Sequence, residues 1–401
     1  MYYLIDKKVK IAILHEMLVK LGWAEKVVES WCKVYPDADI FTLIYDEKKV
    51  WKIFPKNKIN TQVFGLFTQK TYNLTKRQRL CLPFMSKAVE SLDFSDYDVV
   101  LCSSSAFAHW AITKPETKFI VYSHSPARYM WDWTNEYKKD IWWNKWIKWF
   151  ILNRLFLKLR QWDFIASKRC DLTLANSKNT QNRITKYYRK DSDILYPPVE
   201  VGRFSRKKPV ASSLVGNRPP PNPLLSKEGV EKNLPGNYYI IISALTEFKK
   251  IEVAVEWFNK LSDKNLIIVW EWNFRQKLEK KAWKNIVFTW AKYWSDLVSL
   301  VQNSNWLIFP GEEDFWIVPI EVMAAWKPVF SYRWGGLLET IIEWITWEFF
   351  DDKNWNDFVE KFKVFDTNNN NWRYTDKNCV RQAEKFSENK FEQKIKELVN
   401  M

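Results

Sequence analysis

The stretch Asn305 to Phe350, NWLIFPGEEDFWIVPIEVMAAWKPVFSYRWGGLLETIIEWITWEFF, decides the fold. Leu307, Ile308 and Phe309 form a short apolar run halted by Pro310 and Gly311, which predicts a buried strand delivering a loop. The loop carries Glu312, Glu313 and Asp314. Pro319 suits the first position of a helix, where its missing N–H costs nothing, and Glu321 then falls in the first turn, at the positive end of the helix dipole. The helix runs through Met323 and Ala325 until Pro328 ends it. Pro328 to Tyr332 reads as the next strand, Arg333 to Gly336 as the next loop, and Leu337 to Glu343 as the next helix. Strand, loop and helix repeat, which predicts half of a doubly wound α/β sheet.

Such a sheet binds ligands at the carboxyl ends of its strands, and those ends offer two carboxylates, a Gly-Gly loop and two helix N-termini, a set suited to a diphosphate sugar. Taken alone, Glu313 and Glu321 read more simply as solvated acids beside a helix start. Seven residues separate them, however, placing one carboxylate on the loop and the other one turn inside the helix. This spacing resembles the Glu-x7-Glu motif of family 4 glycosyltransferases. By that resemblance Glu313 is a catalytic residue that hydrogen-bonds the donor sugar, Glu321 holds the nucleotide ribose, and the backbone N–H groups of Phe315, Trp316 and Ile317 meet sugar and phosphates.

A chain of 401 residues predicts two domains, since one core rarely grows past about 300 residues. A net charge of +15 favours an anionic partner, which could be nucleic acid, an acidic membrane surface or a phosphorylated substrate. The five cysteines are odd in number, widely spread and never in a C-x-x-C pair, so neither a disulfide framework nor a zinc site is suggested, and a reducing cytosol fits. The N-terminus enters a strand without a signal-like apolar region, and no run approaches the roughly 18 apolar residues of a spanning helix, so a soluble or peripheral protein is expected.

Toward the N-terminus, Val9 to Leu14 reads as a strand, His15 to Ala24 as a loop and Glu25 to Val34 as a helix. The run KIAILHEMLVKLGWAEKVVESWCKVYPDADIFTLIYD resembles the opening of the same family, whose Gly-Gly-Ala-Glu-Lys turn faces the inter-domain cleft and its acceptor side. Gly22 matches its first glycine; Trp23 stands where the second belongs, and Glu16 where Asp is commoner. Tyr97 to Cys102 and Phe119 to Tyr122 are further strands. After the latter, YSHSPARYMWD resembles the family's His-x-Pro-x-Arg-Tyr motif, which implies His124 as a catalytic-site residue and Arg128 as an acceptor-side one. A lone histidine after a strand is otherwise more often structural. Residues 138 to 164 mix basic and aliphatic side chains, and Ile147, Ile151, Leu155 and Leu159 share one helical face. That face either packs on its own domain, leaving Lys145, Lys148, Arg154, Lys158 and Arg160 in solvent, or helps the segment dock on anionic lipid. The Asp191-Ser-Asp193 triplet falls in a predicted turn, where Asp is at home, and no metal site is read into it.

Domains are expected at 1–204 (acceptor side), 237–382 (nucleotide-sugar side) and, as a helix crossing back to the first domain, 383–401. The Pro-rich segment 205–236, containing NRPPPNPLLSKEG, reads as a linker or insertion. In the second domain Tyr238 to Ser243 is a strand and Ile251 to Leu261 a helix; the loop between them in the family carries an Arg and a Lys that grip the donor diphosphate. Lys249 matches the lysine, Ala244 occupies the arginine position, and Lys250 or Arg333 is placed to compensate. Leu266 to Val269 and Ile286 to Phe288 follow as strands, with Thr289 where the family's loop meets the base. Gly335 and Gly336 complete the donor set.

The resemblance covers nearly the whole chain apart from the insertion, and the closest likeness is to bacterial mannosyltransferases of lipopolysaccharide O-antigen assembly. It implies a GT-B architecture of two Rossmann-like doubly wound domains facing a cleft. It also implies a retaining hexosyltransferase that moves a hexose, mannose first in expectation, from GDP-mannose or a UDP-sugar to a lipid-linked or polysaccharide acceptor. No metal and no cofactor are expected, the protein being cytoplasmic or peripheral on the inner face of the plasma membrane. Three other readings remain open: a basic single-stranded nucleic-acid-binding protein, against which the scattered tryptophans argue, a glycogen-synthase-like or sucrose-type transferase that shares the donor motifs and differs in acceptor, and an inactive homologue.

One composition figure is abnormal: 25 Trp beside 9 Gly, the latter about 2% of the chain against roughly 7% in ordinary proteins. Trp326 and Trp344 follow predicted helices at the position where the chain usually turns left-handed and glycine is favoured. Trp316 sits where backbone must approach a diphosphate sugar, Trp334 precedes Gly335, Trp270 and Trp272 flank Glu271 in a strand-to-helix loop, and Trp347 lies in a predicted turn. By resemblance each is a glycine position, whereas Trp131 and Trp162 fit aromatic ones. Deficit and excess then share one cause: an alternative genetic code in which UGA is read as glycine and conceptual translation has written tryptophan. A donor loop crowded at Trp316 is the structural expectation.

Overall fold

The computed structural model describes residues 9–60, 63–75, 81, 84–134, 146–205, 234–243, 249–269, 275–289, 294–312, 314–343, 345, 347–351, 357–370 and 376–400. The chain divides into two compact units, Met1–Pro198 with Phe391–Met401, and Val199–Lys390.

In the first unit, the apolar runs of the sequence become β1 (Ile11–Leu18), β2 (Asp39–Tyr45), β3 (Ile59–Asn60), β4 (Val99–Ser104), β5 (Lys118–Ser123), β6 (Leu172–Ala175) and β7 (Asp193–Ile194). All pair in parallel, in the order β3-β2-β1-β4-β5-β6-β7. Side chains alternate across a strand, so Ile11 and Ile13 enter the core on one face of the sheet while Ala12 and Leu14 enter the core on the other. The helix Glu388–Asn400 closes the first of these faces with Phe391, Ile395, Leu398 and Val399. Their i, i+4, i+7, i+8 spacing makes one stripe, and each such side chain removed from water contributes about 1.5–3 kcal/mol. Lys118 Nζ, 2.8 Å from the Leu398 carbonyl, donates to an otherwise unpaired oxygen of the last turn.

The second unit repeats the plan. Its strands are β8 (Tyr239–Ile242), β9 (Leu266–Val269), β10 (Ile286–Thr289), β11 (Leu307–Phe309), β12 (Val329–Tyr332) and β13 (Trp347–Phe350), parallel throughout, in the order β10-β9-β8-β11-β12-β13. One face is covered by an aromatic core in which Tyr239, Phe258, Trp306, Phe330 and Phe350 meet Phe358, Phe362 and Phe365. Trp257 stacks on Phe358 with ring centroids 3.7 Å apart and planes 13° apart.

The structure departs from the sequence reading at several places. Strand β1 runs on to Leu18, so His15 and Glu16 are buried strand residues and not loop, held there by hydrogen bonds from β4 and the turn after it. The helix after Gly336 stops at Thr340, and Trp347 pairs with Val329 in β13 where a turn was expected, because Phe349 and Phe350 bury their rings. The C-terminal helix is two helices, Asp376–Glu384 and Glu388–Asn400. Their break is stabilised by Val199, which donates to Phe386 O and accepts from Glu388 N–H, both at 3.1 Å. The short helix Val201–Phe204, assigned by sequence to the first domain, packs in the second unit. Phe358–Asn370, to which the sequence reading assigned no element, is helical. In the helix Trp146–Ala166, Leu159 of the expected face is buried with Phe156 and Ala166. Lys145 and most of the Pro-rich segment, residues 206–233, lie outside the described residues.

Candidate active site

In an open parallel sheet a ligand crevice forms where the strand order reverses, outside the carboxyl ends. In the second unit that point lies between β8 and β11. Lys249 stands after the loop that leaves β8, and Gly311 in the loop that leaves β11. The two backbones touch: a Cβ on Gly311 would lie 3.0 Å from Lys249 Cα and 3.1 Å from its carbonyl oxygen. A second close approach ties in the loop after β12, since a Cβ on Gly336 would come within 2.1 Å of the Asp314 carbonyl oxygen. Only glycine fits at 336. Three loops leaving β8, β11 and β12 are thus joined through backbone, and the sequence-predicted donor residues Lys249, Phe315, Trp316, Ile317, Gly335 and Gly336 gather there.

Around them, Phe315, Trp316 and Ile317 are buried, and Glu321 sits in the first turn of the helix Val318–Ala324 with Pro319 at its start, 1% exposed. Thr289 is the last residue of β10, and Gly335 has φ 60°. Lys250 is exposed, with φ 54°. Glu313, Ala244, Trp270, Trp272 and Trp344 lie outside the described residues. Arg333 is not placed to compensate for a missing arginine. Its guanidinium donates from Nη1 to Glu343 Oε2 at 3.0 Å, from Nη2 to the other oxygen of that carboxylate, and from Nε to Asp351. The Glu343 hydrogen bonds come first among the influences that raise its pKa. A doubly bridged guanidinium must break two ion pairs before meeting a phosphate.

Trp316 crowds this loop. Its ring centroid is 3.7 Å from that of Phe309 with planes 69° apart, closer than the roughly 4.5–7 Å of ordinary aromatic pairs. Lys249 Nζ lies 4.4 Å from the Trp316 centroid and 5.9 Å from that of Phe309. Trp326 has φ 66°; its N–H donates to Met323 O and that of Lys327 to Val322 O, at 3.0 and 3.1 Å. These two bonds define a Schellman motif with tryptophan at the left-handed position that glycine usually fills.

The first unit reverses its strand order between β1 and β4, and a polar network fills that point. His15 and Ser103 are paired residues of the two strands. His15 Nδ1 is 3.1 Å from Ser103 Oγ and 3.2 Å from the Ser103 carbonyl, and its Nε2 is 3.8 Å from Glu25 Oε1. Ser103 Oγ is in turn 2.8 Å from Nε2 of His124, which follows β5 and is half-buried. Burial alone would lower the His15 pKa, but Glu25, with Glu16 behind it, outweighs burial and raises it. Burial would raise the Glu25 pKa, and His15 reverses that shift. His124 is pushed down to about 3, first by burial and then by the positive charge of His15.

Gly22 is the N-cap of the helix Trp23–Val34, and its N–H donates to Glu25 Oε2 at 2.9 Å. Trp23, the first helical residue, is half-buried under the Lys26 ammonium at 5.5 Å. Arg128 lies 5.8 Å from the Trp133 ring. Sequence reasoning did not single out His15, Glu25 or Ser103; for His15 and Ser103, a polar residue directly after the apolar runs Ile11–Leu14 and Val99–Cys102 was the available signal.

Comparison with known proteins gives the chain its family. The family described as "Glycosyltransferase Family 4" matches residues 55–203, and "Glycosyl transferases group 1" matches residues 225–386. The chain is a glycosyltransferase of the family 4 type. This glycosyltransferase is 23% identical over 391 residues to the alpha-1,3/1,6-mannosyltransferase ALG2 of Candida glabrata, a match covering 84% of this chain and 79% of the relative. It is 25% identical over 156 residues to an uncharacterized glycosyltransferase of Methanocaldococcus jannaschii, covering 38% and 44%. Among solved structures, Anabaena Alr3699/HepE in complex with UDP aligns with a TM-score of 0.68 at 14% identity, over 98% of this chain and 100% of that one. Sucrose-phosphate synthase from Thermosynechococcus elongatus aligns at 0.70 and 13%, over 98% of each. Both likenesses fix the fold of the glycosyltransferase as GT-B.

Proposed function

We propose that this enzyme transfers a hexose, mannose in the first instance, from a nucleotide-sugar donor to a lipid-linked or polysaccharide acceptor, with retention of anomeric configuration. The carrying observation is the junction of Lys249, Gly311 and Gly336 at the reversal point of the second sheet. Breaking the sugar–phosphate bond leaves negative charge on a nucleoside diphosphate, which a fixed cation stabilises best where water is excluded. Lys249 supplies the cation. The helix Val318–Ala324 has only seven residues, so its dipole adds at most about 0.3–1 kcal/mol, and Lys249 carries most of the field. A nucleotide-sugar donor is supported by the HepE structures, which are described as complexes with UDP and with UDP-glucose; mannose is supported by the mannosyltransferase relative. In this reading Glu313 faces the sugar, Glu321 the ribose and Thr289 the base, no divalent cation or cofactor is required, and Lys250 lies at the rim. Incubation with a panel of GDP- and UDP-sugars, read as nucleoside diphosphate release, tests it.

We infer further that Trp316, Trp326, Trp334 and Trp344 are glycine in the native protein, their codons being UGA read as glycine. Trp326 holds a left-handed conformation that costs a side-chain-bearing residue about 1–2 kcal/mol, and Trp316 crowds the donor loop. Trp110 and Trp131 behave differently, both donating their indole N–H to the buried Asp163, at 2.8 and 2.7 Å, and are read as tryptophan. Codons settle the matter: UGG at 316, 326, 334 and 344 ends the inference.

For localisation, no helix among the described residues is long and apolar enough to cross a membrane. Peripheral attachment at the helix Trp146–Ala166 is supported by exposed Leu157, Phe164 and Ile165 beside exposed Arg154 and Lys158.

A further inference from the structure

Ser103 and Ser104 are neighbours on β4 and therefore point to opposite faces of the sheet. Ser104 serves a closed network. Its hydroxyl is 3.1 Å from Glu16 Oε1 and 2.9 Å from His109 Nδ1, and His109 Nε2 is 3.0 Å from Asp163; all three partners are buried. Glu16 Oε1 also accepts from the N–H groups of Ser105 (2.8 Å) and Phe107 (2.7 Å), so this carboxylate has a structural task. Ser103, in contrast, ends at a half-buried histidine.

Burial of the Ser103 hydroxyl favours one arrangement of protons along the second network. The Ser103 carbonyl can only accept, so His15 Nδ1, 3.2 Å away, carries a hydrogen. The Glu25 carboxylate accepts as well, so His15 Nε2 facing it at 3.8 Å also carries one, and the ring is an imidazolium. Ser103 Oγ then receives a hydrogen from His15 Nδ1 and, being buried with no other acceptor among the described residues, directs its own toward His124 Nε2 at 2.8 Å. His124 Nε2 is therefore an acceptor, and its proton sits on Nδ1, which has no hydrogen-bond partner among the described residues.

We propose that Glu25, His15 and Ser103 are positioning residues that hold His124 as the neutral Nδ1–H tautomer, so that it meets the substrate as a hydrogen-bond donor to a sugar or phosphate oxygen and not as a base at Nε2. The substrate part rests on the glycosyltransferase reading of His124; the tautomer does not. The groups facing His15 are Glu25 from the helix, Glu16 beside it on β1, Ser103 on β4 and His124 after β5, while Lys20 balances Glu25 from the intervening loop. Directions of titration agree, His15 being raised and His124 lowered.

The chain has only 3 histidines, so long-range proton–nitrogen correlation of the imidazole rings, assigned with His15→Asn, His109→Asn and His124→Asn, reads each tautomer directly. Without substrate at pH 6–8, His124 should appear neutral with its hydrogen on Nδ1, and His15 should stay doubly protonated to a higher pH than an ordinary imidazole. Ser103→Ala should admit the Nε2–H form of His124 and lower kcat several-fold with little change in donor KM, whereas Ser103→Thr, which keeps the hydroxyl, should restore both. A wild-type His124 that carries its hydrogen on Nε2, or titrates near the ordinary value, overturns the proposal without any variant. An unchanged tautomer in folded Ser103→Ala overturns it equally. Because the tautomer is read without donor or acceptor, its failure is distinct from absence of sugar transfer.

Discussion

The Lys249 ammonium lies over the ring of Trp316, 4.4 Å from its centroid, and the donor site proposed above calls on that same charge. A cation held over an indole is worth about 0.5–2 kcal/mol, and the ring occupies space beside the backbone. Trp316→Gly should therefore tighten nucleoside diphosphate binding roughly 2- to 30-fold, measured by titration calorimetry. Unchanged or weaker binding would show that the indole does not compete for the lysine.

Lys249→Ala should abolish most sugar transfer while the protein keeps its far-ultraviolet circular dichroism and melting temperature to within a few degrees. The Lys249 side chain meets ring faces and contributes little apolar surface of its own. Full activity in the variant would remove the donor-site assignment. By the same assignment, transfer should survive chelator; loss restored by manganese would contradict it.

Trp326→Gly should raise stability by about 1–2 kcal/mol, the cost of the left-handed conformation at φ 66°. Chemical denaturation measures it, and a destabilised variant would mean that indole packing outweighs backbone strain.

Acid should act on stability through His124. The folded side chain resists protonation down to about 3 while the unfolded one takes a proton near 6.5. Its contribution is thus present above 6.5 and lost as pH falls toward 3, at up to about 1.4 kcal/mol per pH unit. His15 works oppositely: raised in the fold, its contribution is complete below the unfolded value and fades as pH rises through the folded one. Melting curves between pH 7.5 and 5 should fall less steeply for His124→Asn than for the wild type. Parallel slopes would refute the assignment.

Much of the fold was legible because parallel strands buried on both faces write continuous apolar runs, as in Ile11–Leu14, Val99–Cys102 and Leu266–Val269. The left-handed turn at Trp326 was legible from the helix end and the following Lys327-Pro328. What escaped was non-local. His15 and Glu16 read as loop because the groups that satisfy them, on Ser103, Ser104 and the turn after β4, lie about 90 residues away. Arg333 looked available because its partners Glu343 and Asp351 meet it only once β13 pairs beside β12. The helix Phe358–Asn370 was hidden by its asparagine end, although Phe358, Phe362 and Phe365 keep helical spacing.

The most direct test of the account sets two versions of the protein side by side, one as written and one with glycine at 316, 326, 334 and 344. Each is incubated with GDP-mannose and UDP-sugars in the presence of membrane lipid extract, and nucleoside diphosphate release is followed. The account predicts donor consumption by the glycine version, its loss on adding Lys249→Ala, and at least several-fold less from the tryptophan version. Consumption of no donor by the glycine version, with nucleotide binding unaffected by Lys249→Ala, would contradict it.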